Sequence, residues 1–180
     1  MVEGSLRVDN YQEAVKAAFD FSRLAGNGFI LRLQDKKETM INVNNGETEE
    51  IATTSLKGAG AQVITTDGYI GFASSDRIDP QSVKEMMTQA IKLAGMAREV
   101  KGEQNLALFG LAPNRRREIL QLKHAYGSVS LSEMEERLLE INRKVSKGYT
   151  GLSVRTIFRV VDEEWRIARQ DGTDTSFMTP

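Results

Sequence analysis

The pattern that most constrains this chain starts at Gly28, where the apolar residues begin to alternate. Phe29, Leu31 and Leu33 are followed, past Asp35-Lys36-Lys37, by Thr39, Ile41 and Val43. Side chains of a strand point alternately to opposite faces, so a period of two marks half-buried strands, and the charged interruption reads as a break between two antiparallel strands. Asn45-Gly46 comes next. Both central positions of a type I′ turn need positive φ, so this dipeptide marks a hairpin leading into a third, polar strand, Glu47 to Thr53. Gly58 to Thr65 and Tyr69 to Ser74 flank a second such turn at Asp67-Gly68. The expectation is a five-strand meander, since consecutive strands joined by tight turns pair with one another.

Helical periodicity brackets the strands. Asp9 stands as N-cap with Gln12 three residues on, Val15, Ala18, Phe19 and Ser22 share a face, and Gly26 is the stop. A second helix opens at Asp79 with Pro80 in its first turn and carries Val83, Met86, Met87, Ala90, Ile91 and Ala94 as a core stripe. An adaptable peptide groove is the rival reading of its methionines, but Met is an ordinary gap-filler. Residues 103–129 read as a linker with a short element near Glu118 to Leu122. A third helix starts at Ser130, with Glu133 completing a capping box. Its stripe is Leu131, Met134, Leu138, Ile141 and Val145, and Gly148 ends it. Two strands, Leu152 to Val161 and Glu164 to Gln170, then join at Asp162-Glu163 and end at Asp171-Gly172.

The last region echoes the first. A shift of 126 residues places Ile41 on Ile167, Asn45 on Asp171 and Gly46 on Gly172, a helix–hairpin duplication. The fold class is α+β: an antiparallel meander sheet with helices packed on one face. Its organisation reads as a first α/β unit over 1–102, the linker, and a second helix–hairpin unit over 130–180. That second unit stops where the first has two strands still to come, so the chain reads as cut short.

Composition removes whole classes of chemistry. Adding the 15 Gly to the 40% apolar residues gives about 48%, the normal range for a folded domain. With no Cys there is no disulfide, thiolate nucleophile or thiolate metal ligand. Catalytic zinc sites and Ser or Cys triads alike would have to converge on the single histidine, His124, which reads more simply as a loop residue. The balance of 24 Lys and Arg against 25 Asp and Glu supplies no general attraction for nucleic acid or anionic membrane. No run of about 18 apolar residues and no signal-peptide pattern occurs, which gives the expectation of a soluble, cytoplasmic chain without membrane contact.

Three local clusters invite functional readings. Arg115, Arg116 and Arg117 could contact phosphates, since guanidinium groups fork onto phosphate oxygens, but no aromatic interleaving or basic face accompanies them, so a solvated cluster is the plainer reading. Gly58-Ala59-Gly60 is half of a dinucleotide fingerprint, yet a strand follows it instead of a helix. A close backbone approach or a bulge explains the glycines better. Glu47, Glu49 and Glu50 could hold a metal or a peptide amine; alternate Glu on an edge strand also blocks edge-to-edge aggregation.

Taken together, the strand before Asn45-Gly46-Glu47, the acidic Glu49-Glu50, the Gly58-x-Gly60 strand, the Asp67-Gly68 hairpin, the Gly71-Phe72-Ala73-Ser74 strand end and the helix after Asp79 resemble the amino-terminal region of the TldD/PmbA family. The likeness is specific over residues 28–97 and looser over 131–180. The family was once described as modulators of DNA gyrase and is regarded as zinc metallopeptidases. The resemblance implies a dimer, homomeric or with a family paralogue, an enclosed chamber, and an unfolded peptide as substrate. It also implies zinc for the full-length protein, held by a His-Glu-x-x-x-His motif in the carboxy-terminal part.

That motif is absent here. No catalytic or metal residue carries over, no cofactor is assigned to this chain, and alone it is expected to be inactive. The expected role is a non-catalytic amino-terminal domain that frames the chamber and the dimer. An exposed sheet edge would receive peptide by strand addition, and Glu49, Ile51 and Thr53 are the candidate edge residues. Two alternatives remain open: a stand-alone binding or scaffold protein, and a gyrase- or DNA-associated modulator acting through Arg115 to Arg117.

Overall fold

The computed structural model describes residues 6–97, 112–120, 127–149 and 151–179. A 3-10 turn, Arg7–Tyr11, leads into helix α1 (Gln12–Ala25). Strands β1 (Gly28–Asn44), β2 (Glu47–Ile64) and β3 (Ile70–Ser75) follow, then helix α2 (Pro80–Ala97), strand β4 (Arg117–Glu118), helix α3 (Leu131–Gly148) and strands β5 (Arg155–Arg169) and β6 (Asp174–Thr179). The strands form a six-stranded sheet in the order β3-β2-β1-β5-β6-β4. The fold is α+β.

Its strands are fewer and longer than the alternation implies. The three charged or polar interruptions, at 35–37, 54–57 and 162–163, lie inside single strands and reverse nothing. Asp35 continues the buried row Phe29-Leu31-Leu33 at 0% exposure, because Arg7 Nε stands 2.9 Å and Lys57 Nζ 3.4 Å from its carboxylate. Glu164 does the same in β5: it pairs with Arg7 at 3.0 Å and accepts the Val8 N–H at 3.2 Å. A buried carboxylate is tolerable once it is paired and hydrogen-bonded, so a charge in the pattern does not end a strand when the fold brings its partner.

The turns divide into two kinds. Asn45 (φ 49°) and Gly46 (φ 84°) form the expected two-residue reversal, and a link that short requires β1 and β2 to be antiparallel. At Asp67-Gly68 only Gly68 has positive φ, and Thr65 N–H donates to Tyr69 O at 2.9 Å, so the loop holds three residues, 66–68. The 170–172 loop matches it: Arg169 N–H donates to Thr173 O at 3.0 Å, with Gly172 at φ 89°. β2 and β3 pair antiparallel from Ala59↔Ser75 to Ile64↔Ile70, whereas β4 pairs parallel with β6. Shifting β1 by 126 residues gives 154–170, within one residue of β5 at each end, so the helix, long strand, tight turn and strand recur in order.

The chain divides into two compact units. The first comprises Met1–Asp35, Leu56–Leu120 and Glu164–Thr179; the second comprises Lys36–Ser55, Gln121–Glu163 and Pro180. In the first, α1 and α2 bury Val15, Ala18, Val83, Met86, Met87 and Ala90 against Phe29, Leu31, Leu33, Ala61, Val63 and Ala73. Phe19 meets Phe29 edge to face, with ring centroids 5.2 Å apart. The expected N-cap of α1 moves: Tyr11 occupies the cap, and the Asp9 carboxylate instead accepts Leu6 N–H at 3.1 Å within the 3-10 turn. Asp79 caps α2 as expected, accepting the backbone N–H groups of Gln81 and Ser82 at 3.0 and 2.9 Å.

In the second unit Ser130 caps α3, accepting Glu133 N–H at 3.2 Å. The core holds Leu138, Ile41 and Val43, with Met134, Leu139 and Phe158 packed against them. Leu131, Ile141 and Val145, expected in the helix stripe, are exposed. Asn142 takes the buried position instead. Its Oδ1 accepts Gly46 N–H at 2.7 Å, and its Nδ2 donates to Val154 O at 2.9 Å and Thr156 Oγ1 at 2.8 Å. Asn142 thus shares the strand-facing side of α3 with Leu138 and Met134, while Leu131, Ile141 and Val145 face outward.

Candidate functional site

The candidate edge residues lie on β2 in the second unit. Pairing with β3 covers only Ala59–Ile64, so among the described residues no strand lies along the outer edge of Glu47–Gly58. An uncovered strand edge presents main-chain N–H and C=O groups that a further chain can bond. Glu49 is turned to β1, where its carboxylate accepts Asn42 Nδ2 at 3.1 Å and Asn44 Nδ2 at 2.8 Å. Thr53 Oγ1 lies 3.2 Å from Thr39 Oγ1, and Ile51 is 40% exposed. The side chains at 49 and 53 therefore secure the hairpin and leave the outer main chain free for other contacts.

Arg115, Arg116 and Arg117 lie in the first unit, along β6. Asp174 N–H donates to Asn114 O at 2.9 Å and Ser176 N–H to Arg116 O at 3.1 Å. With Asp9, Gln12, Arg166 and Asp174 the arginines line a cleft of about 490 Å³. Arg116 pairs with Glu118 at 2.8 Å and Arg117 with Asp9 at 2.6 Å, while Arg115 Nε donates to Gly172 O at 3.1 Å. Arg166, buried, makes two 2.8 Å bonds to the Asp174 carboxylate and a further one to Gln12 Oε1. Carboxylates neutralise three of the four guanidiniums, which leaves little charge for an anion.

His124 lies outside the described residues, as do Gln121 and Leu122 of the element expected near Glu118. Among the described residues no group of three or more His, Cys, Asp or Glu side chains is placed to hold a metal ion. Also among the described residues, no helix is long and apolar enough to cross a membrane.

Charge pairing tunes several groups. Glu38, hydrogen-bonded first to Arg159 and then to Lys36, is held down from the ordinary 4.5 to about 2. Lys57 is raised above its ordinary value, chiefly by the Asp35 charge. Sequence reasoning missed the Arg7–Asp35 and Arg7–Glu164 pairs because their members lie far apart in the chain, and the Arg166–Asp174 pair although only eight residues separate its members.

Fold and sequence together place the protein in a class. Residues 31–94 match the family model described as PmbA/TldA metallopeptidase domain 1, the family that its motifs resemble. Solved structures share the architecture. One, described as a proposed modulator of a DNA gyrase from Thermotoga maritima, superposes with a TM-score of 0.74 at 14% identity, over 94% of this chain and 37% of its own. TldE from Thermococcus kodakarensis gives 0.70 at 19% identity, over 92% and 36%. A second proposed gyrase modulator, from Bacteroides thetaiotaomicron, gives 0.65 at 14%, over 95% and 39%. The chain thus spans between a third and two fifths of the length of these structures. No curated protein matches it.

Proposed function

We propose that this chain is a non-catalytic domain of a PmbA/TldD-type metallopeptidase, helping to enclose the substrate chamber and to build the dimer, and that it receives unfolded peptide by strand addition. The observation that carries this reading is the outer edge of Glu47–Gly58, long enough for several ladder bonds and not covered by a strand among the described residues. Main-chain pairing gives affinity with little sequence selectivity, which suits a peptidase acting on unfolded chains. Any metal-dependent step is assigned to other parts of such a protein, because no donor set is found among the described residues here. The pairing of Arg116 and Arg117 with carboxylates favours this reading over a phosphate grip.

Hydrogen exchange tests it. A permanently unfolded, carboxymethylated polypeptide should slow exchange of amides within 47–58. Thr53→Pro, which removes a main-chain donor, should abolish that protection and lower peptide turnover in the complete protein, whereas Thr53→Val should leave both intact. Unchanged exchange at saturating polypeptide, or turnover untouched by the proline, would show the idea to be wrong.

A further inference from the structure

The glycines of Gly58-Ala59-Gly60 open a second site, in the first unit and on the sheet face opposite the buried rows. Gly58 and Gly60 of β2, Arg32 of β1, Phe72 and Ser74 of β3 and Trp165 of β5 line an open groove of about 630 Å³. That volume is in the range of small-molecule sites, roughly 300–1,000 Å³. Its floor carries no side chains at 58 and 60. A Cβ at Gly60 would stand 3.1 Å from the Phe72 ring, and one at Gly58 would stand 3.2 Å from Ser75 O. Glycine inside a strand often marks the close approach of a ligand or of another backbone, and here it leaves a slot beside a half-exposed aromatic ring.

The charge in this slot is unbalanced. Arg32 is half-buried and has no hydrogen-bond or ion-pair partner among the described residues, unlike the arginines of the cleft at β6. Lys57, in the same lining, is drawn to Asp35 at 3.4 Å, and the one carboxylate of the wall, Asp76, does not reach Arg32. A guanidinium withdrawn from water without a counter-charge is costly, and a carboxylate answers its planar fork with two parallel bonds. Phe72 and Trp165 supply aromatic surface for a ring. A nucleic-acid strand would need a basic track, which one free guanidinium does not make.

We propose that this slot binds an aromatic carboxylate of the kind presented by a peptide's carboxyl terminus when its last residue is aromatic. The ring lies against Phe72 and Trp165, and the carboxylate meets Arg32. The slot meets the β2 edge only at its 56–58 end, shares none of Glu49, Ile51 and Thr53, and does not rest on the peptidase reading, so either can fail alone.

Trp165 is the only tryptophan of the chain and reports occupancy by its fluorescence. N-acetylphenylalanine should change the emission saturably. Its uncharged amide, and N-acetylalanine, which lacks the ring, should each bind about tenfold more weakly, as expected for loss of one charge-assisted bond or one ring contact. Arg32→Gln should bring the acid down to the level of the amide while the melting temperature holds, and Gly60→Val should fill the slot and abolish binding. Equal binding of acid and amide by the wild-type chain overturns the proposal without any variant. So does the absence of a saturable change, undiminished binding by Arg32→Gln, or tighter binding of adenosine monophosphate, which would assign the slot to nucleotides.

Discussion

Replacing Gly71 by Ala tests the packing of β3 beneath α2. An added Cβ would stand 1.8 Å from the carbonyl oxygen of Ala90, 2.8 Å from its carbon and 2.7 Å from the nitrogen of Ala94, where real Cβ contacts begin near 3.0 Å. Helix and strand must therefore separate by about 1 Å, and a gap of that size forfeits about a quarter to a half of the dispersion energy across it. The residues facing the gap include Val83, Met86, Met87, Ala90 and Ala73, all buried. Overpacking of a core costs about 1–3 kcal/mol, and a clash with helix backbone, which cannot rotate away, belongs at the upper end. We expect a loss of about 3 kcal/mol, which lowers the melting temperature by about 6–12 °C for a chain of this size. Urea unfolding followed by circular dichroism measures it. Because the obstructing atoms are main-chain, Ala90→Gly should not rescue Gly71→Ala and should itself cost about 1 kcal/mol in helix propensity. A loss below about 1 kcal/mol, or rescue by Ala90→Gly, would refute the argument.

Asn142→Leu should destabilise by about 2 kcal/mol, because Gly46 N–H, Val154 O and Thr156 Oγ1 lose their partner around a fully buried site. Equal stability in a urea titration would show that the amide does not hold α3. The Glu38 carboxylate titrates near 2 in the folded chain against an ordinary 4.5, so its contribution is complete above 4.5 and disappears as pH falls from 4.5 towards 2. Glu38→Gln should flatten the melting temperature across that window and leave less salt dependence at neutral pH; an unchanged acid limb would mean that Arg159 and Lys36 contribute nothing through it.

Much of the architecture is legible residue by residue. Asn45-Gly46 yields a tight turn because few residues tolerate positive φ at two successive positions, and Asp79 and Ser130 cap helices because their side-chain oxygens reach backbone N–H groups two or three residues ahead. These are local interactions within a few bonds of one another. The motifs around Gly58-x-Gly60 and Gly71-Phe72-Ala73-Ser74 were likewise enough to point to the family whose first-domain model matches residues 31–94.

Several of the readings that failed depend on partners that the fold supplies. Asp35 interrupts an apolar alternation and looks like the end of a strand until Arg7 and Lys57 are brought to it. Of the α3 stripe, Met134 and Leu138 pack inward while Leu131, Ile141 and Val145 are exposed, and the strands bond Asn142 in their place. Arg115 to Arg117 look like free charge, and the fold commits two of them to Glu118 and Asp9, whereas Arg32, which nothing in its neighbourhood marked, has no partner among the described residues. The sequence by itself determined the Asn45-Gly46 turn, the caps of α2 and α3, the helices and the family resemblance, because short-range geometry and periodicity decide those. Only the tertiary structure decided which strands run unbroken, which helix face is buried and which charges remain available, because a buried charge survives or fails according to a counter-charge that folding delivers from elsewhere.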